Sequence, residues 1–355
     1  MLAHEITFFG LFILFIGGML AIDLGVFNKG NHVVSFKEAG IWSAVWVTFA
    51  IVFFFIIKTH GDIVHGIENF ADLQKVQEKY ADHVPINSNN FEQSVQNYRD
   101  NMALEFITGY LLEYSLSVDN IFVILLIFTS FGVRTIYYKK VLFWGVLGAV
   151  IMRFIFIFVG AALIQRFDWI LYIFGAFLVY TGGKMFFDKD DDEHIETHNH
   201  PVVKFASKYF SITPRYVKDH FFVKKAGRFL ITPLFVVVLI IEFTDLLFAV
   251  DSVPAVFAVT EDPYVVFFSN IFAIMGLRSM FFFLSNILPM FQYLKTGLAC
   301  LLTFIGAKML LHHFLEEWGF KTEYSLFVIV GILGISIGAS LLFPKKKTEA
   351  TLKSH

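Results

Sequence analysis

Five carboxylates stand in apolar sequence: Glu113, Asp119, Glu242, Asp245 and Asp251. On insertion scales an Asp at a helix centre costs about 2.5–3.5 kcal/mol. Unpaired, the five would together cost on the order of 10 kcal/mol, so they are expected to face a polar cavity, an ion or basic partners. Helical spacing groups them. Glu113, Ser117 and Asn120 fall at i, i+4 and i+7, on one helix face. Asp245 and Ser252 repeat the i, i+7 pair, and Glu242 lies three residues before Asp245. Asp119 and Asp251 point about 100–120° away from that face on a continuous helix. A local break would swing them in, and Pro254, which lacks an amide donor, permits one. The candidate ligands are thus carboxylates, the Ser117 and Ser252 hydroxyls and the Asn120 amide, with no His or Cys beside them. Oxygen-only ligation favours Mg²⁺, Ca²⁺ or Mn²⁺ over Zn²⁺ or copper. Four bases also lie in apolar sequence, Arg153, Lys184, Arg278 and Lys308. They cannot ligate a cation, and the expectation is that they balance the acids when no cation is held. The competing reading makes all these charges structural ion pairs.

These landmarks recur in order. Glu113-Tyr-Ser-Leu-Ser-Val-Asp119-Asn120 matches Asp245-Leu-Leu-Phe-Ala-Val-Asp251-Ser252, with the same acid-to-acid spacing. Each copy continues to an arginine, Arg153 or Arg278, and then to a glycine-containing stretch and a lysine, Lys184 or Lys308. The Arg-to-Lys separation is 31 residues in one copy and 30 in the other.

Stepping along the chain gives the elements that must hold them. Of 355 residues, 57% are hydrophobic, 16% are charged and 46 are Phe, against roughly 45–50% apolar and about 25% charged in soluble domains. This is the composition of a polytopic, all-α membrane protein. Spans of about 20 apolar residues are expected at 6–27, 39–57, 102–131, 137–163, 168–187, 229–259, 264–284, 290–312 and 324–343. The third and sixth are long and acidic, so tilt or breakage is expected there. The N-terminus has no basic n-region or small-residue cleavage site, so the first run is expected to be kept. With the N-terminus outside, 18 Lys and Arg fall on the inside and six on the outside. That ratio supports N-out, C-in and an odd number of spans. The implied organisation is two N-terminal spans in 1–57, a polar outer insert in 58–101, a first repeat in 102–187, a charged inner loop in 188–228, a second repeat in 229–312, and a last span with a basic tail in 313–355. Three spans per copy invert the second repeat. Inverted repeats with a midplane site between them are a feature of secondary transporters.

Other features carry less. A net charge of −2 gives no support to nucleic-acid binding. Cys300 is the single cysteine, so the chain forms no internal disulfide and no cysteine zinc site. Asp23 lines an exit path or marks the membrane boundary. Glu105 reads as an interfacial acid. Asp190 to Glu193 with His194, His198 and His200 read as a solvated acidic loop or a metal-capturing one.

The motifs Gly109-Tyr-Leu-Leu-Glu-Tyr-Ser-Leu-Ser-Val-Asp-Asn-Ile-Phe-Val, Phe167-Asp-Trp-Ile-Leu-Tyr-Ile-Phe-Gly-Ala-Phe, Gly276-Leu-Arg-Ser-Met and the stretch from Glu242 to Thr260 resemble the TerC family of integral membrane proteins, in particular its alkaline-pH-linked, manganese-exporting branch. The resemblance covers nearly the whole chain. It implies a helical protein of the inner membrane that exports Mn²⁺, with Glu113, Asp119, Glu242, Asp245 and Asp251 essential and Asn120 as their neighbour. The 58–101 insert looks longer than is usual for the family. Proton exchange is a natural coupling, because buried carboxylates titrate readily. Two alternatives stay open: an exporter of a small cationic organic solute, and an assembly or metalation factor for membrane or secreted proteins. Enzyme chemistry is not expected, since Gly-x-Gly-Asp, Gly-x-Ser-x-Gly and His-Glu-x-x-His are absent. No cofactor is expected; the partners are the cation and the lipid bilayer, with oligomeric state open.

Overall fold

A computed structural model describes the chain except residues 1, 28–33, 165, 168, 188–211, 214–215, 226–227, 288–292, 312–313, 316–321 and 344–355. The side chains of Asp23, Asp119 and Asp251 and the acidic, histidine-bearing loop also lie outside the described residues. Among the described residues the protein is helical except for one small hairpin. The elements are α1 (Leu2–Phe27), α2 (Phe36–His60), α3 (Asp62–His65), α4 (Phe70–Tyr80), α5 (Phe91–Ser130), α6 (Thr135–Ile164), α7 (Trp169–Phe187), β1 (Phe222–Lys225), β2 (Arg228–Ile231), α8 (Pro233–Phe257), α9 (Pro263–Ile287), α10 (Leu294–Leu310) and α11 (Thr322–Leu342).

Each expected span coincides with one of the apolar helices. Six are long and apolar enough to cross a bilayer, namely α2, α5, α6, α8, α9 and α11. Capping residues set several starts. Ser35 accepts the Glu38 amide, Asn69 the Asp72 amide and Asn90 the Gln93 amide. Pro233 opens α8, where its missing amide hydrogen is not needed. Gly132 closes α5 at φ 59°, a left-handed conformation that releases the chain while its amide bonds to Thr129.

Two expectations are corrected. First, α5 begins at Phe91 rather than near residue 102. Its 40 residues reach about 60 Å, twice the roughly 30 Å hydrocarbon core, so its amino-terminal turns project beyond the membrane. Composition marked where the helix turns apolar, not where it starts. Second, the acidic helices are not broken. Both α5 and α8 are continuous, and α8 passes through Pro254. Pro254 sits one turn before the helix end and forgoes the bond its amide would make to the Val250 carbonyl, yet the helix continues through it. Asp119 and Asp251 therefore keep helical backbone.

The sequence repeats become α5–α6–α7 and α8–α9–α10. The first helix of each packs on the second helix of the other, and α7 packs along α10. That last contact is reciprocal. A Cβ at Gly182 would lie 2.5 Å from Thr303 Oγ1 and 2.8 Å from the Ala299 carbonyl. One at Gly306 would lie 2.7 Å from the Val179 amide and 2.6 Å from the Gly175 carbonyl. Each repeat glycine thus meets the residues three and seven positions before the other. Gly175 meets residues as far along α10 as Leu310, whereas Gly182 meets Ala299. As numbers rise on one helix they fall on its partner, so the two run antiparallel about a local two-fold.

Helix α9 is the centre of the bundle: its apolar stretch is 100% buried, against 22% for α2 and α11. The outer helices expose Leu14, Phe55, Ile151, Tyr180, Phe327 and Ile335, the surface a bilayer would cover. The 58–101 insert is not a separate domain. Leu73, Val76, Tyr80, Val95 and Tyr98 bury into the same core as Phe106 and Phe268. At the other end the β1–β2 hairpin is strapped to the bundle by Tyr216, whose hydroxyl donates to the Phe131 carbonyl, and by Lys140, which donates to Asp219.

Candidate ion-binding site

Glu113 on α5, Arg153 on α6, Asp245 on α8 and Asn270 on α9 meet at the repeat interface. Arg153 is 0% exposed. Its Nη1 donates to Glu113 Oε1 and, at 2.6 Å, to Asn270 Oδ1. Its Nη2 stands 3.7 Å from Asp245 Oδ1. Glu113 and Asp245 are equivalent acids of the two repeats, so a single guanidinium is shared between them. Glu242, one turn before Asp245, rests against the α6 backbone. A Cβ at Gly148 would lie 2.0 Å from both of its carboxylate oxygens, so any larger residue there would displace the Glu242 carboxylate.

Two cavities flank this cluster. One is lined by Asn120, Thr244, Asp245 and Phe248, with Gly145 and Ala149 of α6 behind. The other is lined by Asn120, Ser252, Phe248, Thr181 and Met185. Asn120 and Phe248 border both. The structure thus gathers Glu113, Asn120, Asp245, Ser252 and Arg153 from the sequence-predicted set, with Glu242 and Ser117 adjacent on the same helices.

Several buried polar atoms here have no hydrogen-bond partner among the described residues: Glu113 Oε2, Ser117 Oγ, Asp245 Oδ2, Ser252 Oγ, and Arg153 Nε and Nη2. An unsatisfied buried polar atom costs about 1–3 kcal/mol, more when charged. All four oxygens belong to residues that spacing alone singled out. Among the described residues no three His, Cys, Asp or Glu side chains already converge on one point. In the described arrangement Arg153 stands against both acids and neutralises them.

Among the described residues, Lys184 and Lys308 do not join them. Lys184 is exposed at the last turn of α7, where a cation complements the helix dipole. Lys308 donates to the Ala258 carbonyl at the end of α8, 2.8 Å away, and lies near Glu105 rather than Glu113. Arg278 is 5% exposed on α9, within electrostatic reach of Lys139. Repeat spacing fixed their order along the chain but not their depth. Glu105, read from sequence as an interfacial acid, is 2% exposed within the protein, accepting from Thr260 at 2.7 Å and Asn101 at 2.8 Å. Sequence reasoning missed Asn270 and Gly148. The polar pair Ser269-Asn270 inside an otherwise apolar helix was the available signal for the first; the second had none.

The TerC family model, described as integral membrane protein TerC family, matches residues 98–348. This chain belongs to the TerC family. A membrane protein of Myxococcus xanthus described as uncharacterized is 43% identical over 331 residues, covering 93% of this chain and 91% of that one. The Escherichia coli K12 protein named "Putative membrane-bound redox modulator Alx" is 42% identical over 321 residues, covering 89% and 88%. A Rickettsia bellii membrane protein is 36% identical, covering 94% and 96%. No solved structure matches. As a TerC member the chain is a multi-pass integral membrane protein, and the matched region contains both repeats and every residue of the cluster around Arg153.

Proposed function

We propose that this protein transports a divalent cation, Mn²⁺ foremost, out of the cell across the inner membrane, through the carboxylate cluster between its repeats. The observation that carries this reading is the set of unpartnered buried oxygens of Glu113, Ser117, Asp245 and Ser252. They are hard donors from both repeats, suited to Mn²⁺, Mg²⁺ or Ca²⁺. Arg153 acts as a stand-in cation. When Mn²⁺ enters, Glu113 and Asp245 transfer from guanidinium to metal, with Asn120, Asp119 and Asp251 as further ligands. When the ion leaves, Arg153 returns. The arginine-bound and metal-bound arrangements exclude each other, so ion occupancy shifts the equilibrium between them. Titration of the released acids supplies the route to proton exchange. The repeats rocking against each other along the α7–α10 contact would expose the cluster to either side.

The redox wording in the Escherichia coli relative's name does not point to thiol chemistry in this chain. A dithiol mechanism needs two cysteines, and here there is only Cys300. The donor set supports transport rather than catalysis. The test is cell manganese after Mn²⁺ challenge, comparing wild type with Glu113→Gln, Asp119→Asn, Asp245→Asn and Asp251→Asn at equal membrane abundance. Wild type lowers cell manganese and the variants do not. Equal manganese in all five would remove the transport reading and favour an assembly role.

A further inference from the structure

A second buried polar cluster lies away from the repeat interface, where the 58–101 insert meets the bundle. His65 on α3 is 0% exposed and its Nε2 lies 2.8 Å from Asp262 Oδ2. The His65 ring packs between Tyr80 of α4 and Tyr264 of α9. Asp262 donates its amide to Thr260 Oγ1, and Thr260 donates its hydroxyl to Glu105 Oε2. A continuous chain of hydrogen bonds therefore runs from the insert, through the α8–α9 turn, to α5. Asn101 donates to the other Glu105 oxygen, and His83 lies 3.8 Å from it. Lys308, on the last helix of the second repeat, ties down the Ala258 carbonyl just before the turn. The Asp62–Arg99 ion pair, 2.6 Å, fixes α3 to α5 beside the cluster.

This cluster stands on α5 about two turns before Glu113. Glu105, Gly109, Glu113 and Ser117 follow at intervals of four, so Glu105 lies about 12 Å from Glu113 along the helix. Between them the way is shut. A Cβ at Gly109 would come within 2.9 Å of Ser269 Oγ and 3.0 Å of Val256 Cγ1. Beyond this pinch lies the hydrogen-bonded chain, and beyond that the insert. The chain is also incompletely satisfied. The buried Tyr98 hydroxyl lies within electrostatic reach of Asp262 and Glu105 yet has no hydrogen-bond partner among the described residues. Partly satisfied buried polar networks give little stability, and buried ionic pairs are best attested as registry or switching elements.

We propose that the His65–Asp262 pair is the latch of an outer gate, with the insert as a lid clamped on the α8–α9 turn and Thr260–Glu105 transmitting its state to the Gly109–Ser269 pinch. The proposal rests on the transport reading for what passes the gate, and on the positive-inside count for calling this side outer. Opening the latch frees the α8–α9 turn, lets α9 draw back from Gly109 and joins the cluster at Arg153 to the outer solution. Closing it seals that route while the acids face inward. The insert thereby has a role in controlling access.

The test needs no transport. In the full-length protein carrying Cys300→Ser, Ser269→Cys places one thiol at the pinch, and a membrane-impermeant maleimide is added on the insert's side of proteoliposomes. Asp262→Asn keeps a residue able to cap α9 through the Tyr264 amide but removes the charge facing His65. A hydrogen bond to a charged group shifts an equilibrium by about tenfold or more, so Asp262→Asn and His65→Ala should label about tenfold faster or more. Thr260→Val, nearly isosteric, should give a smaller rise. His65→Gln, which keeps a donor for Asp262, should return to the parent rate. Parent-like labelling in Asp262→Asn and Thr260→Val, in protein that elutes as a single species, would overturn the latch. If the parent moves no cation, the transport reading fails, and the labelling series still decides the latch.

Discussion

Arg153→Met separates the role of a stand-in cation from that of a structural brace. The side chain is wholly buried and neutralises Glu113 and Asp245 together. Methionine keeps most of its length and removes the charge. Removing one partner of a buried ion pair costs about 3–5 kcal/mol, because the other charge is left uncompensated. In metal-free detergent the variant should therefore unfold well below wild type. A divalent cation should then reverse the loss. In wild type, Mn²⁺ must displace the guanidinium; in the variant the acids are free to accept it. A ligand at 100 times its dissociation constant stabilises by about 2.7 kcal/mol, enough to recover more than half of the deficit. The assay is thermal unfolding of purified protein with and without MnCl₂, with Arg153→Met/Glu113→Gln as the partner variant. The expected result is a larger Mn²⁺-induced rise in melting temperature for Arg153→Met than for wild type, reduced again in the double variant. If Mn²⁺ stabilises Arg153→Met no more than wild type, the arginine is a structural brace and the exchange reasoning is wrong.

Gly148→Ala forces the Glu242 carboxylate to retreat by more than 1 Å from a contact of 2.0 Å. Functional constellations tolerate about 0.5 Å, so folding should survive while Mn²⁺ affinity falls about tenfold or more, read by the same melting shift. Gly306→Ala meets backbone rather than a yielding side chain, 2.6 Å from the Gly175 carbonyl, and should cost about 1–3 kcal/mol as overpacking does. Gly183→Ala, with nothing within 4 Å, should be neutral or slightly stabilising in the same melting assay. At the hairpin strap, the Lys140 bond holds the Asp219 carboxyl below its ordinary 3.8. A depressed carboxylate pKa contributes stability that is present above the unfolded value and lost as pH falls through the folded one. Hydrogen exchange of residues 216–232 should therefore accelerate below about pH 4 in wild type, and Lys140→Gln should abolish that acid step.

What the sequence disclosed and what it hid follow from range. The spans were legible because apolar runs of bilayer length are a local signal; 168–187, for example, became Trp169–Phe187. The repeat was legible because charged landmarks in lipid-facing sequence are rare, and the Gly182–Gly306 reciprocity is its three-dimensional counterpart. The 58–101 insert was legible as a polar segment but its packing was not, because α3 and α4 are short and polar and gain their core only by packing with Phe106 and Phe268. In the site, helical spacing placed Glu113, Ser117 and Asn120 on one face; Glu113 belongs to the cluster, Asn120 lines both cavities, and Ser117 is buried one turn from Glu113. Asn270 contributes from a helix with no acidic landmark, and Lys308 sits at a depth that order along the chain does not encode. Pro254 shows the limit of reading a break from one residue, since the helix continues through it.

The most direct test of the central claim is Mn²⁺ flux in proteoliposomes of purified protein, with wild type beside Glu113→Gln and Asp245→Asn. The account predicts metal-selective flux by wild type, competed by Mg²⁺ or Ca²⁺ more than by Zn²⁺, and none by either variant. Flux that persists in both variants would contradict a pathway through the carboxylates of the repeat interface.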